Sequence, residues 1–158
     1  MPDTPSELKL LIISRDTLLD ALKDASSKKI FRTMARISRR GTHILLSAPE
    51  PERWVPTRGN VDNALNQQNE LMKLANEAGG GIEGVYYVPR SLLTQDRNRK
   101  GALTDILKRY SVPAKNAVLI SSSSPFIKAA RRMGIVDHQI APPGKKGKKL
   151  VSALDGLV

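Results

Sequence analysis

The sequence predicts a three-layer, Rossmann-like α/β fold with a central, mostly parallel β-sheet. The first observation is a set of short apolar runs suited to buried strands: Leu8–Ile13, Ile44–Leu46, Val85–Val88 and Val118–Ile120. The second is that amphipathic stretches of helical length lie between these runs. Strands that alternate with helices are typical of a parallel sheet joined by crossover helices and buried on both faces.

The helices are predicted from caps and from apolar residues at three- and four-residue spacing. Ser26 or Ser27 caps a helix predicted over 28–39, which Gly41 ends. The buried stripe of this helix is Ile30, Phe31, Met34 and Ile37. Further helices are predicted over 61–78, from about residue 100, and over 125–133.

The length of 158 residues fits a single domain spanning 1–158. Residues 142–149, rich in proline, glycine and lysine, are predicted to form an exposed basic loop before a short terminal segment, 150–157. No apolar run is long enough to cross a membrane, and the first residues lack the pattern of a signal peptide. The absence of cysteine removes any disulfide framework. We therefore expect a cytoplasmic domain without membrane contact.

Polar residues follow three of the predicted strands directly. Ser14 follows the first strand, Ser47 the second and Ser121–Ser124 the fourth, while Lys100 stands at the predicted start of a helix. The carboxyl ends of parallel strands meet at one edge of the sheet. We therefore expect Ser14, Ser47, Lys100 and Ser122 to lie together at that edge.

In these motifs the chain resembles the haloacid dehalogenase superfamily, in particular the small phosphatases of the heptose-bisphosphate and histidinol-phosphate type. The resemblance runs over about residues 8–158. It implies that Ser14 replaces the nucleophilic aspartate of the family and that Asp16 keeps the second aspartate of the same motif. Ser47 corresponds to the residue that holds the phosphoryl group, and Lys100 to the lysine of the third motif.

The fourth motif of the family and its zinc loop are both altered in this chain. The two acidic positions of that motif are occupied by Ser122 and Phe126. The stretch Gly84–Pro89 is very similar to a strand and loop of heptose-bisphosphate phosphatases, but Val88 stands at the position of a cysteine that often helps to hold a structural zinc. Because the chain contains no cysteine, we expect no such zinc site.

These replacements bear directly on catalysis. Phosphoryl transfer on this scaffold needs a carboxylate nucleophile and a cluster of carboxylates that hold Mg²⁺, for which neutral hydroxyls are poor substitutes. A serine nucleophile needs an adjacent base, and neither His43, at the start of a strand, nor His138, predicted in a turn, has that context. We therefore expect Asp16, Ser47 and Lys100 to be vestigial, with no metal site and no cofactor. Mg²⁺ is expected only if the chain is a phosphatase.

Net charge is the second strong feature. The formal net charge of +11 and the pI near 10.2 suggest a polyanionic partner. Residues 28–40 contain six basic residues and no acidic one, and four of the basic residues share a helical face: Lys29, Arg32, Arg36 and Arg40. Such faces bind phosphate backbones with strong salt dependence, although a basic surface that is merely solvated is the alternative.

Further candidate binding residues lie elsewhere in the chain. A proline-rich loop holds Arg53, Trp54 and Arg58, where Trp54 is either a contact residue or a loop anchor. The remaining candidates are Arg131, Arg132, Lys145, Lys146, Lys148 and Lys149. Ser121–Ser124, just before a helix, either offer hydroxyls and amides to an anion or simply fill space. Few aromatic residues are present to stack on single-stranded bases.

The sequence thus favours a non-catalytic binding or assembly module for a polyanionic partner. Nucleic acid, or a complex associated with nucleic acid, is the leading candidate. One alternative is a phosphomonoesterase acting on a small phosphorylated sugar or a nucleic-acid end. Another is an interaction subunit that binds an acidic protein.

Overall fold

The structure, a computed structural model, describes residues 7–23, 27–49, 58–79, 81–89, 95–140 and 146–158, with the backbone alone for 58–65 and 146. Within these residues the strands are β1 Leu10–Ser14, β2 His43–Pro49, β3 Ile82–Val88, β4 Ala117–Ser121 and β5 Val136–Gln139. The helices are α1 Arg15–Ala21, α2 Ser27–Arg39, α3 Arg58–Glu77, α4 Gln95–Tyr110, α5 Ser124–Arg132 and α6 Lys146–Asp155. A short 3₁₀ turn, Ala114–Asn116, precedes β4.

The described strands form one parallel sheet in the order β3-β2-β1-β4-β5. Strand β1 is central, with Ser14 level with Ser47 of β2 and Ile13 level with Ile120 of β4. Since β2 and β4 lie on opposite sides of β1, the crossovers leave in opposite directions and a crevice forms beyond the carboxyl ends of these strands. The predicted α/β fold with a parallel central sheet is confirmed.

Alternate residues of β1 enter separate apolar cores on the two faces of the sheet. Leu11 and Ile13 pack in the core that includes residues of α1, α2, α3 and α6. Leu10 and Ile12 pack in the core that includes residues of α4 and α5. All four side chains are fully buried. The sheet is therefore the middle one of three layers, and each helix has a defined outer face.

The four residues that the amphipathic pattern of α2 predicted to be buried are buried, and Thr33 and Ala35 are buried with them. Ile30, Phe31, Met34 and Ile37 are at most 2% exposed. Gly41 follows the helix with a φ of +94°, a left-handed conformation that glycine adopts without strain. With the apolar stripe held in the core, the arginines and lysines of α2 face solvent.

Strand β5 and the start of helix α4 differ from the sequence prediction. His138 lies in β5, level with Ile120, and the turn predicted for it is wrong. This strand is short, half-buried and polar, so it lacks an apolar pattern. Helix α4 begins at Gln95 rather than near residue 100, with Asp96 in its first turn, where a carboxylate is favoured by the helix dipole.

The predicted basic loop over 142–149 is wrong in its second half, because Lys146 already begins α6. Glycine and lysine next to one another suggested an exposed loop, but Leu150 and Leu154, one turn apart, are fully buried in the core that contains α2. This burial stabilises the whole helix, so its lysine-rich first turn is helical as well. Lys148 and Lys149 are therefore helical residues. No helix in the described ranges is long and apolar enough to cross a membrane.

Candidate functional site

A cavity of about 380 Å³ opens beyond the carboxyl ends of β1, β2 and β4. Its lining is rich in hydroxyl groups: Ser14, Thr17, Ser47, Ser121, Ser122 and Ser123. Ala48, Pro49, Val88 and Phe126 supply apolar wall, while Asp16, Asp20, Gln95 and Arg99 supply longer polar side chains. Small neutral donors and acceptors therefore make up much of the polar lining of the crevice that parallel topology creates.

Three serines from three strand ends form one hydrogen-bonded group. Ser14 donates to Ser121, with 2.8 Å between their Oγ atoms, and the Ser14 Oγ lies 3.5 Å from that of Ser47. The backbone amide of Ser123 also donates to the Ser121 Oγ, over 3.0 Å. Ser121 is fully buried and Ser47 is 2% exposed. The hydroxyl of Ser14 thus donates to a neighbouring side chain, and no described histidine lines the cavity with it.

A second group joins α1 to the loop after β4. The Thr17 Oγ1 accepts a hydrogen bond from the Ser122 amide over 2.9 Å and lies 3.0 Å from the Ser122 Oγ. At the next turn, the Ser123 Oγ caps α5 by accepting from the amide of Phe126. Phe126, which occupies an acidic position of the family motif, is buried and lines the cavity. Side chains at both former acidic positions therefore serve local structure.

The charged residues of the cavity come from α1 and α4. Asp16 is exposed and lies 3.6 Å from Arg15, while Asp20 lies one helical turn further on and 3.5 Å from Lys23. Arg99 approaches from α4, with 3.3 Å between its Nη1 and an oxygen of Asp96. Both cavity carboxylates thus have a neighbouring cation, and the cavity has a cation of its own in Arg99.

The structure brings together three of the four residues expected at this edge. Ser14, Ser47 and Ser122 line the cavity, whereas Lys100 is exposed and does not. Consecutive helical residues point about 100° apart, so only one of two neighbours can face the crevice. The expected placement of Lys100 is therefore corrected to Arg99.

These residues do not fit the Mg²⁺ site that the family resemblance implies. The hydroxyls at positions 14 and 122 are hydrogen-bonded to Ser121 and Thr17, and a hydroxyl is a weaker ligand for a hard cation than a carboxylate. Asp16 and Asp20 both belong to α1, so no carboxylate reaches the cavity from the end of β4. Among the described residues, no group of three or more His, Cys, Asp or Glu side chains can hold a metal ion.

Neither histidine is part of the cavity lining. His43 begins β2 level with Leu10, at the opposite end of the sheet, where its Nδ1 lies 2.7 Å from an oxygen of Glu83. His138 lies in β5, and its Nε2 is buried without a hydrogen-bond partner among the described residues. Ser14 therefore has no imidazole to activate it.

Helix α4, which positions Arg99, is fastened to β3 by a tyrosine and an aspartate. The Tyr86 hydroxyl donates to Asp105 over 2.6 Å, and Arg109 lies 3.2 Å from the same carboxylate. The hydrogen bond from Tyr86, followed by the contact with Arg109, lowers the pKa of Asp105 below its ordinary value. Burial, followed by the hydrogen bond to Asp105, raises the pKa of Tyr86.

A dense positive surface lies along α2 and at Arg40, the residue after it, and none of its residues lines the cavity. We call the residues Lys28, Lys29, Arg32, Arg36, Arg39 and Arg40 the α2 basic face, and all of them are exposed. Five of them form no ion pair with any residue that the structure describes: Lys28, Arg32, Arg36, Arg39 and Arg40. An unneutralised row of cations raises the local positive potential and attracts anions.

The other candidate binding residues differ from one another in exposure and in ion pairing. Arg131 binds Asp137 through two hydrogen bonds, and Arg132 lies 4.0 Å from Asp96. Lys148 is exposed on α6, and Lys149 is half-buried. The remaining candidates, namely Arg53, Trp54 and Lys145, lie outside the described residues, as do the side chains of Arg58 and Lys146.

Several cavity residues were not predicted from the sequence. Thr17 and Asp20 lie on α1, which begins immediately after Ser14. The spacing of Asp16 and Asp20, four residues apart, is the signal that indicates a shared helical face. Gln95 carries no comparable signal, because its place in the cavity depends on where α4 begins.

Comparison of the sequence with protein families and with curated proteins finds no match. Comparison with solved structures finds the D,D-heptose 1,7-bisphosphate phosphatase of B. bronchiseptica, complexed with magnesium and phosphate, at a TM-score of 0.65 and 18% identity, with 92% of this chain and 87% of that one covered. The same phosphatase from Burkholderia thailandensis gives a TM-score of 0.55 and 16% identity over 92% of this chain and 84% of that one. The chain has a haloacid-dehalogenase-like fold.

A third similar structure broadens this likeness. An uncharacterized protein from Corynebacterium glutamicum gives a TM-score of 0.55 at 14% identity and covers 96% of this chain and 97% of that one. The fold that the resemblance in the sequence motifs implied, a haloacid-dehalogenase-like one, is thus confirmed. At these identities the likeness concerns the fold, and the site must be judged on its own residues.

Proposed function

We propose that this domain is non-catalytic and binds the phosphate backbone of a polyanion, nucleic acid, through the α2 basic face. The observation that carries the proposal is the row of exposed cations on α2, of which Lys28, Arg32, Arg36, Arg39 and Arg40 have no acidic partner among the described residues. Nucleic acid supplies closely spaced phosphate charges, and cations that neutralise them release bound counterions, which favours association. A cytoplasmic location is part of this proposal.

The non-catalytic half of the proposal is supported by the hydroxyl groups of the cavity. Ser14 stands where the resemblance implies a nucleophilic carboxylate, and its proton is donated to Ser121. Activation of a serine requires a base within hydrogen-bond reach, and neither described histidine lines the cavity. The side chains at positions 122 and 126 are a hydroxyl bonded to Thr17 and a buried ring.

The test is a set of binding titrations of the full chain with DNA, RNA and heparin, the last as a polyanion that is not a nucleic acid. We expect binding to DNA or RNA that weakens linearly with the logarithm of salt concentration, by about one unit of slope for each phosphate contact. Chelation of divalent cations with EDTA is expected to leave affinity intact. Binding to heparin or to an acidic protein with none to DNA or RNA would contradict the proposal and favour the protein-interaction alternative.

A phosphomonoesterase is the second candidate, and one observation favours it. The cavity holds two carboxylates, Asp16 and Asp20, beside Ser14 on a scaffold similar to phosphatases. Its substrate would be a small phosphorylated sugar or the phosphorylated end of a nucleic acid. Mg²⁺-dependent phosphate release that Asp16→Asn abolishes, and that Asp155→Asn on exposed α6 leaves unchanged, would establish this candidate and overturn the non-catalytic proposal.

A further inference from the structure

We infer that the nucleic acid is a duplex, bound by its backbone on a surface that α2 and α6 form together. The inference rests on the proposed function and makes the partner more specific. It concerns the α2–α6 surface, defined as the α2 basic face together with Lys148. A duplex and a single strand share the phosphate charge, so the distinction must come from the arrangement and the chemistry of the residues on this surface.

Helices α2 and α6 belong to the same layer of the fold. Ile30 and Met34 of α2 and Leu150 and Leu154 of α6 are buried in one core, against the same face of the sheet. Helices that bury one stripe against a common face expose their opposite stripes on the same side of the molecule. Lys148, exposed in the first turn of α6, therefore extends the positive surface of α2, while the exposed Asp155 lies at the other end of α6.

Helix α3 lies next to α2 and limits the positive surface on that side. Helix α3 packs in the same core through Leu71 and Ala75 and exposes two acidic side chains, Glu70 and Glu77, against one cation, Lys73. Acidic side chains repel phosphates, so the positive surface extends from α2 toward α6 and not toward α3. The positive surface therefore spans two helices, α2 and α6, and ends at α3.

The spacing of the α2 cations suits a stiff partner. Arg32, Arg36 and Arg39 rise over about 10 Å along the axis of α2, a length over which a duplex presents about six phosphate charges. The helix fixes these cations in a row, and a duplex holds its phosphates equally fixed. A flexible single strand must lose conformational freedom to follow the same row.

The surface lacks what single-strand recognition uses. Proteins that bind single strands stack successive bases on exposed aromatic rings. The one exposed large hydrophobic residue among the described side chains is Tyr87 on β3, whose hydroxyl bonds Gln68. The only ring on α2, Phe31, is 2% exposed. Phosphate contacts alone carry no sequence information, so binding on this surface is expected to be independent of base sequence.

The experiment measures fluorescence anisotropy of the full chain with two unrelated duplexes and their component single strands, over a range of salt concentrations. We expect each duplex to bind about tenfold more tightly than its single strands, and the two duplexes to agree within about twofold. Lys148→Gln is expected to lower the salt slope by about one unit, while Lys128→Gln on α5, which packs on the other face of the sheet, leaves the slope unchanged.

The outcomes separate this inference from the proposed function. Single strands that bind as tightly as duplexes would overturn the duplex inference and leave nucleic-acid binding intact. An unchanged slope in Lys148→Gln would overturn the joint surface. Absence of binding to every DNA and RNA would overturn both the inference and the proposed function.

Discussion

Ser14 donates a hydrogen bond to Ser121 across the ends of neighbouring strands, with 2.8 Å between their Oγ atoms. Ser121 is fully buried, and its Oγ also accepts from the backbone amide of Ser123. This pair connects the end of β1 with the turn that begins α5. The residue at the position of the family nucleophile therefore has a structural partner, and the hydrogen bond leads to a stability prediction.

Replacement of Ser121 by alanine is expected to lower the free energy of unfolding by about 1–3 kcal/mol, because the Ser14 hydroxyl and the Ser123 amide lose their shared acceptor. Urea denaturation followed by circular dichroism measures the change. Ser124→Ala is the matched control, since Ser124 is exposed in the first turn of α5. Equal stability of the two variants would show that the buried hydroxyl contributes nothing.

The response of the fold to Mg²⁺ tests whether the chain holds a metal site. We expect Mg²⁺ at millimolar concentration to leave the melting temperature of the natural chain unchanged, because a ligand stabilises a protein only by binding its native state. The double variant Ser14→Asp, Ser122→Asp places two further carboxylates beside Asp16 and is expected to melt at a lower temperature without Mg²⁺. Addition of Mg²⁺ is expected to restore part of the loss. Clear stabilisation of the natural chain by Mg²⁺ would contradict the prediction.

The sequence was informative wherever burial imposed a pattern. The stripe of Ile30, Phe31, Met34 and Ile37 predicted both the position of α2 and the outward direction of its basic residues, since a helix that buries one face must expose the other. The same logic located four strands of the sheet. Patterns of this kind depend on nearest neighbours along the chain, so they are visible before any tertiary contact is known.

The sequence predictions that were wrong concern features that depend on tertiary contacts or on the direction in which a helical residue points. Strand β5 is stabilised by pairing with β4, and α6 by burial of Leu150 and Leu154, so neither is evident from local composition. Arg99 and Lys100 are consecutive residues of α4 and point in different directions. Which of them lines the cavity depends on how α4 is oriented, and the sequence alone does not give this orientation. The predicted strand ends, together with the motif alignment, placed Ser14, Ser47 and Ser122 correctly at the cavity.

The hydrogen bond between Tyr86 and Asp105 predicts a stability that depends on pH. The pKa of Asp105 is lowered in the folded state, chiefly by the Tyr86 hydroxyl, so this contribution to stability is present above the ordinary pKa of aspartate and is lost as pH falls through the folded value. Tyr86→Phe is therefore expected to destabilise the fold at neutral pH and to have a smaller effect in acid. Urea denaturation at a series of pH values gives the profile.

Tyr87→Phe is the matched control for this profile. The Tyr87 hydroxyl donates over 2.6 Å to Gln68, a side chain that does not titrate. Its removal is expected to change stability by an amount that does not vary between neutral and acid pH. Parallel profiles for the two variants would exclude the Asp105 carboxylate as the source of the pH dependence.

The last prediction concerns the α2 basic face. Replacement of Lys29, Arg32, Arg36 and Arg40 together by glutamine is expected to weaken nucleic-acid binding and to lower its salt slope by about one unit for each phosphate that the protein no longer neutralises. Stability is expected to change little, since these side chains are exposed and lie opposite the buried stripe. Titrations with DNA and RNA at several salt concentrations, together with urea denaturation, measure both quantities.

The control for this prediction removes four positive charges from other exposed positions: Arg97, Lys108, Lys115 and Lys128. Both variants carry the same net charge, so a larger decrease of affinity in the α2 variant identifies local binding, whereas equal decreases indicate general electrostatic attraction. Unaltered affinity and slope in the α2 variant would eliminate this helix as the binding surface. Dependence on Lys145, Lys146, Lys148 and Lys149 instead would assign binding to the start of α6 and the residues before it, because those lysines follow one another closely in the sequence.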